Sequence, residues 1–242
     1  MVKIAVVSGS SYGIGEAISR KLLEMDFKVY GISRTHPKID NPKFVWIKAD
    51  LTNSAEIKAI PAQIGEESVD LLVNNVGTAF PDEILKFSDE NFEKMFGLNF
   101  KAPIKLTLAL FPKLENGLII NISSLADRFP DGLYSCSKAA LNLYFEALAT
   151  ENRRLKVINV LPSYVDTPLL RSLHNDDKDF SWGQTNRPEQ TAEFVGYVVE
   201  NPTEIESGSR VVVISSAQDD GEYDPEKLWL YITDKRALTR LK

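Results

Sequence analysis

Tyr134 and Lys138 stand four residues apart in Tyr134-Ser135-Cys136-Ser137-Lys138, within a stretch compatible with a helix, so both side chains fall on one helical face. A phenol with an ordinary pKa near ~10 is a poor acid–base group at neutral pH, and a nearby ammonium favours its ionised form. The pair therefore reads as a general acid–base couple. Upstream, Asn121-Ile122-Ser123-Ser124 closes an apolar run, where a hydroxyl can project from the end of a strand. Either serine also suits an ordinary strand-end cap.

A second constellation lies at the start of the chain. Ser8-Gly9-Ser10-Ser11-Tyr12-Gly13-Ile14-Gly15 directly follows a short apolar run and opens a helical pattern. Glycines there let the backbone turn tightly and approach a pyrophosphate, which then sits among the free N–H groups of a helix N-terminus. The same letters contain Gly9-Ser10-Ser11-Tyr12-Gly13, a formal nucleophile elbow of α/β-hydrolases. That reading needs a histidine base after an acid, and His174 in an irregular segment is the sole remote candidate. After the second apolar run comes Ile32-Ser33-Arg34-Thr35, with Arg34 where an NAD site places an acid for the ribose 2′-hydroxyl. A guanidinium at that place suits a bidentate grip on a 2′-phosphate. NADP(H) is the expected cofactor, with NAD(H) as the alternative.

These residues need a frame, and the apolar pattern supplies one. Short β-branched runs at 3–8, 28–33, 44–48, 71–74, 118–122, 156–161 and 210–214 predict strands. Between them, 13–25, 53–64, 88–110, 134–152 and 188–200 predict helices. Near-continuous apolar strands such as Ile4-Ala5-Val6-Val7 suit a parallel sheet covered on both faces. The alternation predicts α/β architecture, a doubly wound parallel sheet of about seven strands with helices on both faces. In such a sheet ligands bind at the carboxyl edge, where the strand-end serines point. No repeat or composition break divides residues 1–242, so one domain is expected, with two accessories. The first is an irregular segment at about 166–186. The second is an extension at about 215–242, within which 225–238 predicts a short helix carrying Leu228, Trp229, Tyr231 and Ile232 packed on the domain or a partner.

Bulk composition narrows the function classes. The net charge of −6 argues against a nucleic-acid partner, and no apolar run nears the roughly 20 residues of a membrane span. The single Cys136 cannot form an internal disulfide, which fits a reducing, cytoplasmic setting. His36 and His174 show no metal-ligand spacing, so no metal is expected.

Together the glycine turn, the strand-end serines and the Tyr-x-x-x-Lys pair resemble the short-chain dehydrogenase/reductase family over about residues 2–214. Further segments extend the resemblance. Asp50-Leu51-Thr52 is similar to the family's aspartate motif beside the adenine, and Asn74-Asn75-Val76-Gly77 to its Asn-Asn-Ala-Gly, with Asn75 and Gly77 lining the cofactor site. Asn99 falls at the family's helix asparagine, and Pro162-Ser163-Tyr164-Val165-Asp166-Thr167 resembles its Pro-Gly-x-x-x-Thr segment, placing Pro162, Val165 and Thr167 near the nicotinamide. The resemblance implies a Rossmann-like fold and hydride transfer between a nicotinamide and a carbonyl or alcohol. It makes Tyr134 the general acid, Lys138 the group that tunes it, Ser124 (rather than Ser123) the holder of the substrate oxygen, and Asn99 part of a proton relay. A homodimer or homotetramer through the helices of Asn99 and Tyr134 is also implied.

Several positions depart from the family pattern. Ten residues separate Ser124 from Tyr134, fewer than is usual, and Asp127 stands where glycine or alanine is common. The segment at 168–186 resembles the family's substrate lid, with Leu169, Leu170, Leu173, Phe180 and Trp182 as apolar cover and Asp176, Asp177 and Asp179 as an acidic stretch, a mix compatible with a small or medium, partly apolar carbonyl compound. Two rival functions share the frame: an idle dinucleotide sensor, and an epimerase or dehydratase using the same centre.

Overall fold

The computed structural model describes residues 2–81, 84–130, 132–219 and 228–241. Strand β1 (Ile4–Ser8) leads into helix α1 (Gly13–Glu24), and strands β2 (Lys28–Ser33) and β3 (Phe44–Lys48) follow. Next come α2 (Ser54–Ile64), β4 (Leu71–Asn74), α3 (Asp89–Phe96), α4 (Ala102–Leu110) and β5 (Leu118–Ile122). The remainder is α5 (Gly132–Glu151), β6 (Lys156–Pro162), α6 (Pro168–Leu173), α7 (Pro188–Glu200), β7 (Ser209–Ile214), β8 (Leu228–Ile232) and β9 (Ala237–Arg240). The strands form one sheet in the order β3-β2-β1-β4-β5-β6-β7-β8-β9. Neighbours from β3 to β8 run parallel, and only the β8–β9 pair is antiparallel. Strand order reverses between β1 and β4, which opens a crevice beyond their carboxyl ends.

Alternation along the strands sends side chains to both faces of the sheet, where they form three apolar clusters, the third made by Leu161, Val212, Ile214, Leu228, Leu230 and Ile232. Val6, Ile32, Leu72 and Ile119 meet Ile57 of α2, Leu106 of α4 and Phe145 of α5 on one face. Val7, Val29, Val73 and Ile120 meet Ile18 and Leu22 of α1 and Phe194 of α7 on the other. Each such side chain, fully buried, contributes about 1.5–3 kcal/mol of transfer free energy. One polar row interrupts the first core. Asn74, Asn121 and Asn159 lie in register on β4, β5 and β6. Asn74 Nδ2 donates to Asn121 Oδ1 at 2.9 Å, and Asn121 Nδ2 donates to Asn159 Oδ1 at 2.8 Å. A one-residue slip of β5 would break both bonds, so the row pins the register of the central strands.

The expected helix over 88–110 is one rod widened by a π turn at Gly97–Lys101 between α3 and α4. The lid, expected to be irregular, contains α6, capped by the Thr167 hydroxyl accepting from Leu170 N at 3.2 Å.

The expected helix in the extension is a correction. Pro225 to Lys227 lie outside the described residues, and Leu228–Ile232 is a strand that extends the sheet beyond β7, with β9 folding back on it. Leu228, Tyr231 and Ile232 satisfy a helical spacing, but the unbroken run Leu228-Trp229-Leu230-Tyr231-Ile232 equally suits a strand covered on both faces. The free edge of β7 decides the outcome, because its backbone groups need partners. As expected, Leu228 and Tyr231 are buried against the rest of the chain. The sheet thus has nine strands, the seven anticipated and this hairpin.

Candidate active site

A cavity of about 390 Å³ opens at the carboxyl edge of the sheet, over the reversal of strand order. Gly9, Ser11, Tyr12, Gly13 and Ile14 form one wall. The turn is shaped by Gly9 at φ +70° and Gly13 at φ +63°, backbone values that glycine adopts without a Cβ penalty. The N-cap of α1, Tyr12, offers no side-chain acceptor, so the first N–H groups of that helix remain available to a ligand. Gly15 does not line the cavity. A Cβ there would come within 2.2 Å of Gly9 O and 2.4 Å of Asn75 Nδ2, so its role is close helix–turn packing. Asn75 braces the turn by donating to Ser8 O at 3.0 Å and Gly9 O at 3.2 Å.

Ser33, Arg34, Asp50 and Leu51, from the ends of β2 and β3, form the far wall. Asp50 Oδ1 accepts from Thr52 N at 2.9 Å and Thr52 Oγ1 at 2.8 Å. Those bonds, the backbone one foremost, hold its carboxyl below the usual carboxylate range, and the Arg34 charge adds to the effect. Ser33 Oγ is committed to Thr35 O at 2.8 Å.

Asn75, Gly77, Tyr134, Lys138 and Thr167 close the near side. Lys138 is only 4% exposed, and its Nζ donates to Ile122 O at 3.0 Å. Burial pulls its ammonium down to about 8. The Lys138 Nζ lies 5.8 Å from the centre of the Tyr134 ring. Burial pushes the Tyr134 phenol above its ordinary value, and a hydrogen bond with the Ser124 hydroxyl pulls the other way. Burial is the largest cause of the shift, and it moves the phenol opposite to the direction that spacing alone suggested. Ser124 also caps a single 3-10 turn (Leu125–Arg128) by accepting from Ala126 N at 3.1 Å. Ser123 lines the cavity, with its Oγ donating to Lys138 O at 3.5 Å, whereas Ser124 does not line it. Of the two serines, Ser124 is the one that meets Tyr134.

Asn99 lies behind Gly77, fully buried in the π turn. Its Oδ1 accepts from Thr78 N at 2.7 Å, and its Nδ2 donates to Thr78 O at 2.8 Å and Ser137 Oγ at 2.9 Å. A Cβ on Gly77 would come within 3.2 Å of Asn99 Oδ1 and 3.5 Å of Lys138 Nζ. Pro162 and Val165 do not line the cavity. Val165 is buried and bridges to Asn186 at the base of the lid.

Within the lid, Leu169 and Ser172 line the cavity. Phe180 and Trp182 instead form a cluster of their own, with Phe180 stacked on His174 at 4.0 Å and Arg171 over Trp182 at 5.0 Å. Sequence reasoning missed the supports: Thr78 and Ser137 around Asn99, the Ile122 carbonyl under Lys138, and the partners of Asp127. These pairings span long separations and carry no local signal. Among the described residues, no group of three or more His, Cys, Asp and Glu is placed to hold a metal ion, and no helix is long and apolar enough to cross a membrane.

Known proteins resemble the chain in sequence and in fold. An uncharacterised oxidoreductase of Saccharomyces cerevisiae is 33% identical over 185 residues, spanning 70% of this chain and 73% of that one. Dehydrogenase/reductase SDR family member 11 of Homo sapiens is 28% identical over 238 residues, spanning 85% and 92%. The closed form of a serine dehydrogenase complexed with NADP+ superposes with a TM-score of 0.79 at 25% identity, covering 91% of this chain and 98% of the other. The family model described as short chain dehydrogenase matches residues 3–178, most of the chain, a span that contains the glycine turn, Ser124, Tyr134 and Lys138. The chain belongs to the short-chain dehydrogenase family of oxidoreductases.

Proposed function

We propose that this protein is an NADP-preferring oxidoreductase that moves hydride between the nicotinamide and a small carbonyl or alcohol substrate, with Tyr134 as its acid–base group. The observation that carries this reading is the presence of Tyr134 and Lys138 in the wall of the glycine-lined cavity, with Ser124 hydrogen-bonded to the Tyr134 phenol. The cavity fits a dinucleotide: Gly9 and Gly15 leave no room for a Cβ, and the first amides of α1 carry no side-chain cap and would be free to hold a pyrophosphate.

The bound cofactor supplies the hydride in reduction and accepts it in oxidation. The chain's own residues handle the proton and the oxygen. Burial keeps the Tyr134 phenol protonated at neutral pH, the state needed to give a proton to a carbonyl oxygen as it gains charge. Ser124 offers a hydroxyl to the same oxygen and stabilises that charge. Lys138, its ammonium drawn down to about 8 by burial, lies beside the Tyr134 ring and would hydrogen-bond the ribose of a bound nicotinamide. Asn99 holds Thr78 and Ser137 in place around Lys138.

Arg34 beside the adenosine end supports NADP over NAD, and the similar serine dehydrogenase is complexed with NADP+. We read residues 1–242 as one catalytic domain, because all nine strands belong to one sheet. A homodimer or tetramer is supported by exposed Leu108, Phe111 and Leu143 beside and on the helices of the site. A cytoplasmic setting is consistent with the lone, exposed Cys136.

A panel of aldehydes and ketones, followed by NADPH and NADH oxidation alongside Tyr134→Phe, tests the reading. Turnover with NADPH that falls at least 10²-fold in Tyr134→Phe is expected. NADPH binding with no turnover of any compound would favour a sensor, and full activity in Tyr134→Phe would remove the mechanism.

A further inference from the structure

We infer that Asp127 is a positioning residue that fixes Ser124 against Tyr134, by tying the single turn Leu125–Arg128 to Asn142 of α5 and Arg210 of β7. The inference rests on the Ser124–Tyr134 centre proposed above and concerns what holds it together.

The Asp127 side chain is completely buried. Its Oδ2 accepts from Asn142 Nδ2 at 2.8 Å and from Arg210 NH1 at 2.9 Å. Arg210 is in turn bonded through Nε to Glu146 of α5. Asp127 N donates to Ser124 O at 3.2 Å, so the carboxylate and the Ser124 hydroxyl belong to one turn of backbone. The network joins the amide row of the sheet. Asn159 Nδ2 lies 3.5 Å from Asn142 O, and Asn159 pairs in register with Arg210.

Leu125 packs against the apolar cluster of β6, β7 and β8, and the Asp127 carboxylate supplies the turn's polar tie to α5 and β7. A four-residue 3-10 helix has few bonds of its own. Phe129, which follows it, is 55% exposed, and Pro130 beyond it has no N–H to donate. With only ten residues from Ser124 to Tyr134, a displaced turn would carry Ser124 directly off the phenol.

Stability does not explain the carboxylate. Asp127 Oδ1 is buried without a hydrogen-bond partner, and so is Asn142 Oδ1. Burial raises the Asp127 carboxyl above its ordinary value despite the Arg210 charge. A half-satisfied buried ion is a poor way to stabilise a fold, whereas fixing one geometry is a use to which buried ionic groups are put. Asp127 touches no group of the proposed chemistry. It acts through the backbone of Ser124.

The test is a double-mutant comparison in the full chain carrying ¹³Cζ-labelled tyrosine, with the Tyr134 resonance identified by its loss in Tyr134→Phe. At neutral pH Ser124→Ala is expected to shift that resonance, because the phenol loses its partner. Asp127→Gly, folded by circular dichroism, is expected to shift it as well, after which adding Ser124→Ala moves it no further. Asp127→Asn keeps an acceptor for Arg210 and is expected to restore most of the wild-type position. A full Ser124→Ala shift persisting in Asp127→Gly would overturn the inference. Should Asp127→Gly fail to fold, Arg210→Gln removes the anchor from the β7 side and carries the same comparison. An unmoved Tyr134 in Ser124→Ala alone would instead remove the centre itself, whatever Asp127 does.

Discussion

Asn99 donates its side-chain amide to Ser137 Oγ at 2.9 Å, joining the π turn between α3 and α4 to the residue immediately before Lys138. Ser137 Oγ in turn donates to Tyr134 O at 2.7 Å. A widened turn in one helix is thereby bound to the acid–base pair of another. π turns inside α-helices recur at functional sites because they re-aim a side chain that a regular helix would point elsewhere.

Asn99→Ala is expected to destabilise the fold by about 2–3 kcal/mol, since it strips partners from the Thr78 backbone and Ser137 in a buried place. Urea unfolding measures that loss. Turnover on any carbonyl compound the wild type accepts should fall with it.

Arg34→Ala is expected to lower the preference for NADPH over NADH by roughly ten- to a hundredfold, the worth of one charge-assisted contact. Titration of both cofactors against the variant reads this ratio. An unchanged ratio would mean that Arg34 contributes only its place in the wall.

The depressed Lys138 value predicts a pH-dependent stability with a definite sign. Folded Lys138 releases its proton near about 8, whereas the unfolded chain keeps it to the ordinary 10.5. Between those values the unfolded state binds more protons, so stability rises with pH across that window. Below it both states are protonated and the penalty of burying the charge is constant. Lys138→Met should abolish this rise, and urea midpoints taken from pH 7.5 to 10 compare the two chains.

Gly15→Ala should cost about 1–3 kcal/mol through overpacking, because its Cβ would fall 2.2 Å from Gly9 O. The displaced turn should also lose the increase in thermal midpoint that NADPH gives the wild type. Thermal scans with and without NADPH separate the two effects.

Much of the frame was legible in the residues. The seven strands through β7 and the helices around them follow from runs such as Ile4-Ala5-Val6-Val7 and from helical spacing, each a local property. Tyr134, Lys138 and the glycine turn were legible because their chemistry depends on neighbours in sequence. The 225–238 segment misled because Leu228, Tyr231 and Ile232 fit both periods, and only the open edge of β7 selects the strand. Asp127 was visible as a departure, but its meaning lies with Arg210, 83 residues away, and no spacing rule reaches that far. The direction of the Tyr134 shift was not legible for a related reason: it is set first by burial, a tertiary property.

The C-terminal hairpin has a consequence for how copies of this chain can meet. A β7 left at the margin would offer the apolar run Val211–Ile214 with open backbone groups, a template for strand addition. Instead the sheet ends on that side in a four-residue strand, with Ala237, Thr239 and Arg240 exposed to solvent and Arg240 paired to Glu206. So short and charged a border resists continuation by another chain's strand. The edge that remains for strand addition is β3, at the other end of the sheet.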